Sequence, residues 1–228
     1  MPDSPIVVRG WITPAVRWVV SFCSSGGRLI LPKAELPQSS SSSDFAASER
    51  RAKWVDTFVF GCLSLECLAL LLEASSAGAA LKWTAMLLVS WRIVDVVAAD
   101  IKMCIFDPFD QAVRLGQNQK RYVSTTPTRV ILLGILNYIE LLVSFACIYC
   151  FDNKLIAQTS TTIGWETGSL GVLERALHLS IVTQLTIGFG DLAPTGWLRP
   201  VVWLQGGSGL ALIALFITRY LSMLPVVP

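Results

Sequence analysis

The chain has 228 residues, of which 53% are hydrophobic and only 15% charged, and its mean hydropathy is +0.59. Soluble domains carry about a quarter charged residues, so this composition argues against a soluble enzyme or binding module and for an all-α membrane protein with several spans. A formal net charge of +2 says little about partners, and a single histidine leaves no obvious set of metal ligands.

Residues 1–53 are of mixed polarity and read as a cytoplasmic N-terminal segment. Within them "GWITPAVRWVVSFC", Gly10 to Cys23, is too short to span and carries Pro14 and Arg17, since a crossing needs about 20 apolar residues. It reads as an interfacial amphipathic helix, with a signal peptide as the rival reading. The run "QSSSSSDF", Gln38 to Phe45, has the composition of a flexible tether. Trp54 to Glu73 is the first strong span, and Ala79 to about Ala99 the second, with Arg92 and Asp95 inside it. Residues 54–99 therefore read as a two-helix membrane hairpin, and 100–128 as a cytoplasmic loop. Val130 to Phe151 is the third span. Leu170 to Leu185 is apolar but too short to cross, and Leu198 to Ser222 is the fourth span.

Charge placement orients this layout. Arg9, Arg17, Arg28, Lys33, Arg50, Arg51 and Lys53, with Lys102, Arg114, Lys120, Arg121 and Arg129, make twelve cations on one side. Lys82, Lys154, Arg175 and Arg199 make four on the other. The positive-inside rule then puts both termini in the cytoplasm. The expected location is the plasma (inner) membrane, with lipid as the surrounding partner.

The six cysteines lack the dense polar spacing of a disulfide framework. Cys147 and Cys150 form a C-x-x-C, a pattern also used in metal or redox chemistry, but the stronger reading is two small packing residues one turn apart on a membrane helix.

"TQLTIGFGDLAP", Thr183 to Pro194, interrupts the apolar sequence between the half-length segment and the last span. Irregular backbone at membrane depth persists only where protein buries it or a water-filled cavity satisfies it. Together with "LHLSIVTQ" before it, this stretch resembles the pore helix and selectivity filter of potassium channels, whose signature is T-x-G-[YF]-G-D; the resemblance covers about 129–224. It implies a pore domain of outer helix, pore helix, filter and inner helix, assembled as a homotetramer around one axis. It also implies that K+ is the permeant ion and that there is no cofactor. Carbonyls of Thr186, Ile187, Gly188 and Phe189 would hold K+, with Gly190 completing the filter and the Thr186 hydroxyl adding an innermost ring. Ile187 and Phe189 would pack behind the filter, and Asp191 would sit at the outer mouth. The C-terminal end of the half-length helix would face a cavity below the filter, where its dipole favours a cation.

The sequence departs from the family at several places. Leu185 stands where many channels have a first threonine, and Phe189 replaces the commoner tyrosine. The glutamate and tryptophan that brace the filter in related bacterial channels correspond to Val182 and Leu179. How Asp191 is buttressed is therefore open.

In the last span, Gly206, Gly207 and Gly209 permit close helix packing, and Gly209 stands where related channels carry a hinge. Leu210, Ile213 and Ile217 share a face and are candidates for an apolar, dewetting gate. Arg92 alone does not make a voltage sensor, which needs several arginines at every third position. No large C-terminal gating module is expected before Pro228. Glu66, Arg92, Asp95 and Glu140 are intramembrane charges, with Glu140 a candidate partner of Arg92. His178 is placed on the pore helix as a packed residue.

The function expected is passive K+ conduction by a channel subunit, without enzymatic activity, nucleic-acid partner or small-molecule ligand. The alternative is a non-conducting regulatory subunit that assembles with other pore-forming chains. A membrane enzyme or transporter would need polar residues facing inward from several spans, and the charges are too few and too scattered for that.

Overall fold

The computed structural model describes residues 42–74, 78–106, 127–158 and 168–223. The expected interfacial helix at 10–23 and most of the loop at 100–128 lie outside these residues.

Among the described residues the fold has four long helices and one half-length helix: α1 (Ser42–Ala74), α2 (Ala79–Ile101), α3 (Pro127–Phe151), α4 (Gly168–Gln184) and α5 (Leu198–Met223). α1 begins at Ser42, inside the stretch read as a tether. The reason is local: Ala46, Ala47, Glu49, Arg50, Arg51 and Ala52 are mostly strong helix formers, and they carry the helix back from the apolar span. α2 continues through a π-helical turn at Lys102–Phe106. Segments 53–73, 131–151 and 198–221 are long and apolar enough to cross a membrane. α2 falls outside that set, because Lys82, Arg92, Asp95 and Asp100 interrupt its apolar sequence.

α3 is the central element, packed by α1, α2, α4 and α5. Its residues Leu141, Phe145, Ala146, Cys147, Tyr149 and Cys150 are buried. The outward residues of the other helices, including Phe60, Leu68, Leu87, Trp203 and Leu204, are large, apolar and exposed, as expected of helices solvated by lipid tails. Between helices in lipid, close packing and polar contacts replace the hydrophobic drive, and both are present. A Cβ on Gly134 would lie 2.6 Å from the Phe216 ring, so α5 rests directly on the α3 backbone. The Lys82 ammonium donates to the Glu73 carbonyl at 2.6 Å across the α1–α2 turn, and Trp83 meets Phe151 edge to face at 4.6 Å. Cys147 and Cys150 contact the carbonyls of Glu66 and Val172 at 3.5 and 3.9 Å. They act as packing residues joining α3 to α1 and α4.

One feature is not helical. β1 (Ile156–Gln158) pairs antiparallel with β2 (Leu192–Pro194), in register Ile156 with Pro194. This ribbon fastens the segment after α3 to the segment after "TIGFGD". A Trp197 indole bond to Asp152 at 3.0 Å adds to the same closure.

Candidate functional site

The half-length helix ends by wrapping into the glycine-rich loop. Thr186 N–H donates to the Thr183 carbonyl at 3.1 Å, and Ile187 N–H to the Val182 carbonyl at 2.8 Å. With Thr186 at a φ of +56°, this is the Schellman arrangement, in which a left-handed residue closes the last helical turn. Gly188 N–H adds a bond to the Val182 carbonyl at 3.3 Å. The Gln184 carbonyl accepts from the Tyr138 hydroxyl at 2.7 Å. The helix-end carbonyls of Ile181, Val182, Thr183 and Gln184 thus all have donors within the chain.

The loop itself alternates. φ is positive at Thr186 (+56°), Gly188 (+59°) and Gly190 (+75°), and Thr186 is the one non-glycine with positive φ among the described residues. Glycine accepts that region freely, whereas a β-branched side chain in it is an outlier costing about 1–2 kcal/mol. Alternating φ sign along a backbone lets successive peptide units face the same way. Residues 185–190 are exposed, with Ile187 at 49% and Phe189 at 68%.

His178 Nε2 lies 2.9 Å from Asp191 Oδ2, and Asp191 Oδ1 accepts from the Leu192 N–H at 3.0 Å. The His178 ring also stacks on Phe189, with centroids 5.9 Å apart and planes at 17°. A single α4 residue therefore holds both the aromatic and the carboxylate of "GFGD". The sequence signal was available, since His178 lies on the half-length helix, but its reach to Asp191 depends on how the loop folds back.

Three further residues escaped the sequence reading. The Gln205 amide on α5 donates to the Ser180 carbonyl and hydroxyl at 3.0 and 2.8 Å, and it accepts from the Tyr149 hydroxyl at 2.6 Å. A glutamine within an apolar helix was the available signal, because polar groups at membrane depth are expensive unless paired.

On α5, Leu210, Ile213 and Ile217 are exposed at 56%, 41% and 55%, a shared face without a partner in the single chain. α5 is continuous through Gly206, Gly207 and Gly209. A Cβ at Gly209 would lie 3.2 Å from the Gln184 side chain, which is the close packing that small residues permit.

The intramembrane charges converge on α3. The Arg92 guanidinium bonds Glu140 at 2.6 and 3.1 Å and pairs with Asp95. It also lies 5.1 Å above the Phe58 ring. Ser144 donates to Glu66 at 2.8 Å and Asn137 to Asp100 at 2.5 Å. No group of three or more metal-ligating side chains occurs among the described residues.

Residues 138–225 match the model of a family described as an ion channel. Neither the curated proteins nor the solved structures compared with the chain gave a match. The matched region begins within α3 and takes in α4, the exposed loop and α5. With three helices able to cross a membrane, this similarity supports an ion channel integral to the membrane.

Proposed function

We propose that the chain is a pore-forming subunit of a K+-selective channel, with Thr186 to Gly190 as its filter and four copies around one axis. The observation that carries this reading is the alternation of positive φ at 186, 188 and 190. A filter must present successive backbone oxygens to one axis, and glycine at alternate positions provides that geometry at little steric cost. The strained Thr186 supports the same reading: backbone strain held in place by its surroundings is concentrated at functional sites. A hydroxyl on the permeation axis accounts for threonine where glycine would be less strained. One chain supplies one loop with its filter residues exposed, so the oxygen rings are completed by symmetry copies. Asp191, held by His178, would attract cations to the mouth. The altered brace positions are one ground for a non-conducting subunit, and the contact between His178 and Asp191 weakens that ground.

The test is K+ flux into liposomes containing the purified protein, with barium as blocker. Barium-sensitive flux is expected from the wild type, and none from Gly188→Ala, because alanine at a φ of +59° costs about 1–2 kcal/mol and redirects the peptide. A folded wild-type oligomer without flux, or undiminished flux through Gly188→Ala, would overturn the assignment.

A further inference from the structure

We infer that Gln205 is a positioning residue for the loop 186–190: it ties α4, the helix that leads into the loop, to both α3 and α5. The inference rests on the filter reading above and deepens it.

Gln205, Ser180 and Tyr149 are each 0% exposed and lie on three different helices. Both ends of the Gln205 amide are engaged, the NH2 by Ser180 and the oxygen by Tyr149. The Ser180 hydroxyl in turn donates a hydrogen bond to the Leu142 carbonyl on α3 at 2.7 Å. A buried amide gains little over a leucine of similar size in lipid unless every group is paired. Here every group is paired, and three of the four bonds meet at Ser180 on α4. Its turn is the one before Val182, whose carbonyl receives the Ile187 and Gly188 N–H groups. The sequence of contacts is thus Tyr149 to Gln205, Gln205 to Ser180, and from the Ser180 turn into the loop backbone. Ser208 donates to the Gln205 carbonyl at 2.9 Å, within the Gly206-Gly207-Ser208-Gly209 stretch. A glycine–serine cluster is where a helix bends most readily, so Gln205 joins the loop to the most deformable part of α5. Val182 and Leu179, at the brace positions expected from the resemblance, offer apolar side chains only, and the network stands one helical face away from them.

The experiment is backbone hydrogen exchange at Ile187 and Gly188 in the full-length folded protein, alongside the K+ over Na+ flux ratio. Gln205→Leu keeps the volume and removes the bonds. It should speed exchange at Ile187 and Gly188 roughly three- to tenfold, as expected for bonds of this kind in a membrane, and leave α1 amides unchanged. Tyr149→Phe should give a smaller acceleration, and the double variant no more than Gln205→Leu alone, because Tyr149 acts through Gln205. The flux ratio should fall in the same order. Unchanged exchange at Ile187 and Gly188, or full additivity of the two substitutions, overturns the inference. If Gln205→Leu does not fold, Tyr149→Phe and Ser180→Ala carry the test, since each removes a single hydroxyl. Exchange does not require conduction. A chain that never conducts but responds this way sinks the channel assignment and leaves the positioning role; a conducting chain that does not respond sinks the positioning role.

Discussion

Thr186 sits at a φ of +56°, a conformation that glycine adopts without penalty and a β-branched residue resists. Two properties separate threonine from glycine there, a methyl group and a hydroxyl. If the hydroxyl is the reason for the strain, Thr186→Ser should retain K+ selectivity, while Thr186→Ala should lose selectivity without unfolding the protein. Flux ratios for K+ and Na+, with secondary structure as the folding control, decide between hydroxyl and shape. Equal selectivity in the two variants would mean that the oxygen plays no part. At the same scale, His178 touches both Phe189 and Asp191. One α4 side chain thus contacts both the aromatic and the carboxylate of the loop.

Among the elements, the hairpin α1–α2 is fixed to α3 by charge. Arg92 is 7% exposed, Asp95 3% and Glu140 0%, so removing the guanidinium leaves two carboxylates buried without their partner. Breaking a buried pair from one side costs about 3–5 kcal/mol. Arg92→Met should therefore destabilise the fold by about that amount, and Glu140→Gln added to it should restore part of the loss, read as thermal unfolding in detergent. If Arg92→Met unfolds like the wild type, the staple contributes nothing. A lone arginine in α2 gives no voltage sensor by sequence, and the structure gives that arginine a partner, Glu140, on α3. Glu66 with Ser144 and Asp100 with Asn137 follow the same pattern, so three buried charged residues of the hairpin, Arg92, Glu66 and Asp100, each meet a polar residue on α3.

For the whole molecule, the surfaces left bare in one chain are specific: the loop 185–190 and the α5 face of Leu210, Ile213 and Ile217. Both are accounted for if four copies meet along them. The purified protein should then behave as a tetramer by light scattering. Its unfolding temperature should rise with K+ more than with Na+, because an ion bound only by the assembled state stabilises it by mass action, by about 2.7 kcal/mol at a hundredfold excess over Kd. A monomer, or indifference to the choice of cation, would remove the shared axis on which the filter depends.

The sequence by itself determined the membrane class, the positions of the long apolar helices and the site of the loop. These rest on periodicity, length and glycine placement, which are local properties. It also pointed to Arg92 and Glu140 as partners, since intramembrane charges of opposite sign have few ways to be satisfied. Only the tertiary structure decided which α4 residue lies against Asp191. Val182 and Leu179 occupy the expected positions, but the loop folds back to His178 instead. The Gln205 network and the β1–β2 ribbon were equally out of reach, because each joins residues far apart in the chain. A start to α1 at Ser42 came from helix propensity upstream of the span, which a reading by hydropathy passes over. Local chemistry sets where a helix or a turn lies; which polar group meets which depends on how the helices pack, and packing is a property of the whole chain.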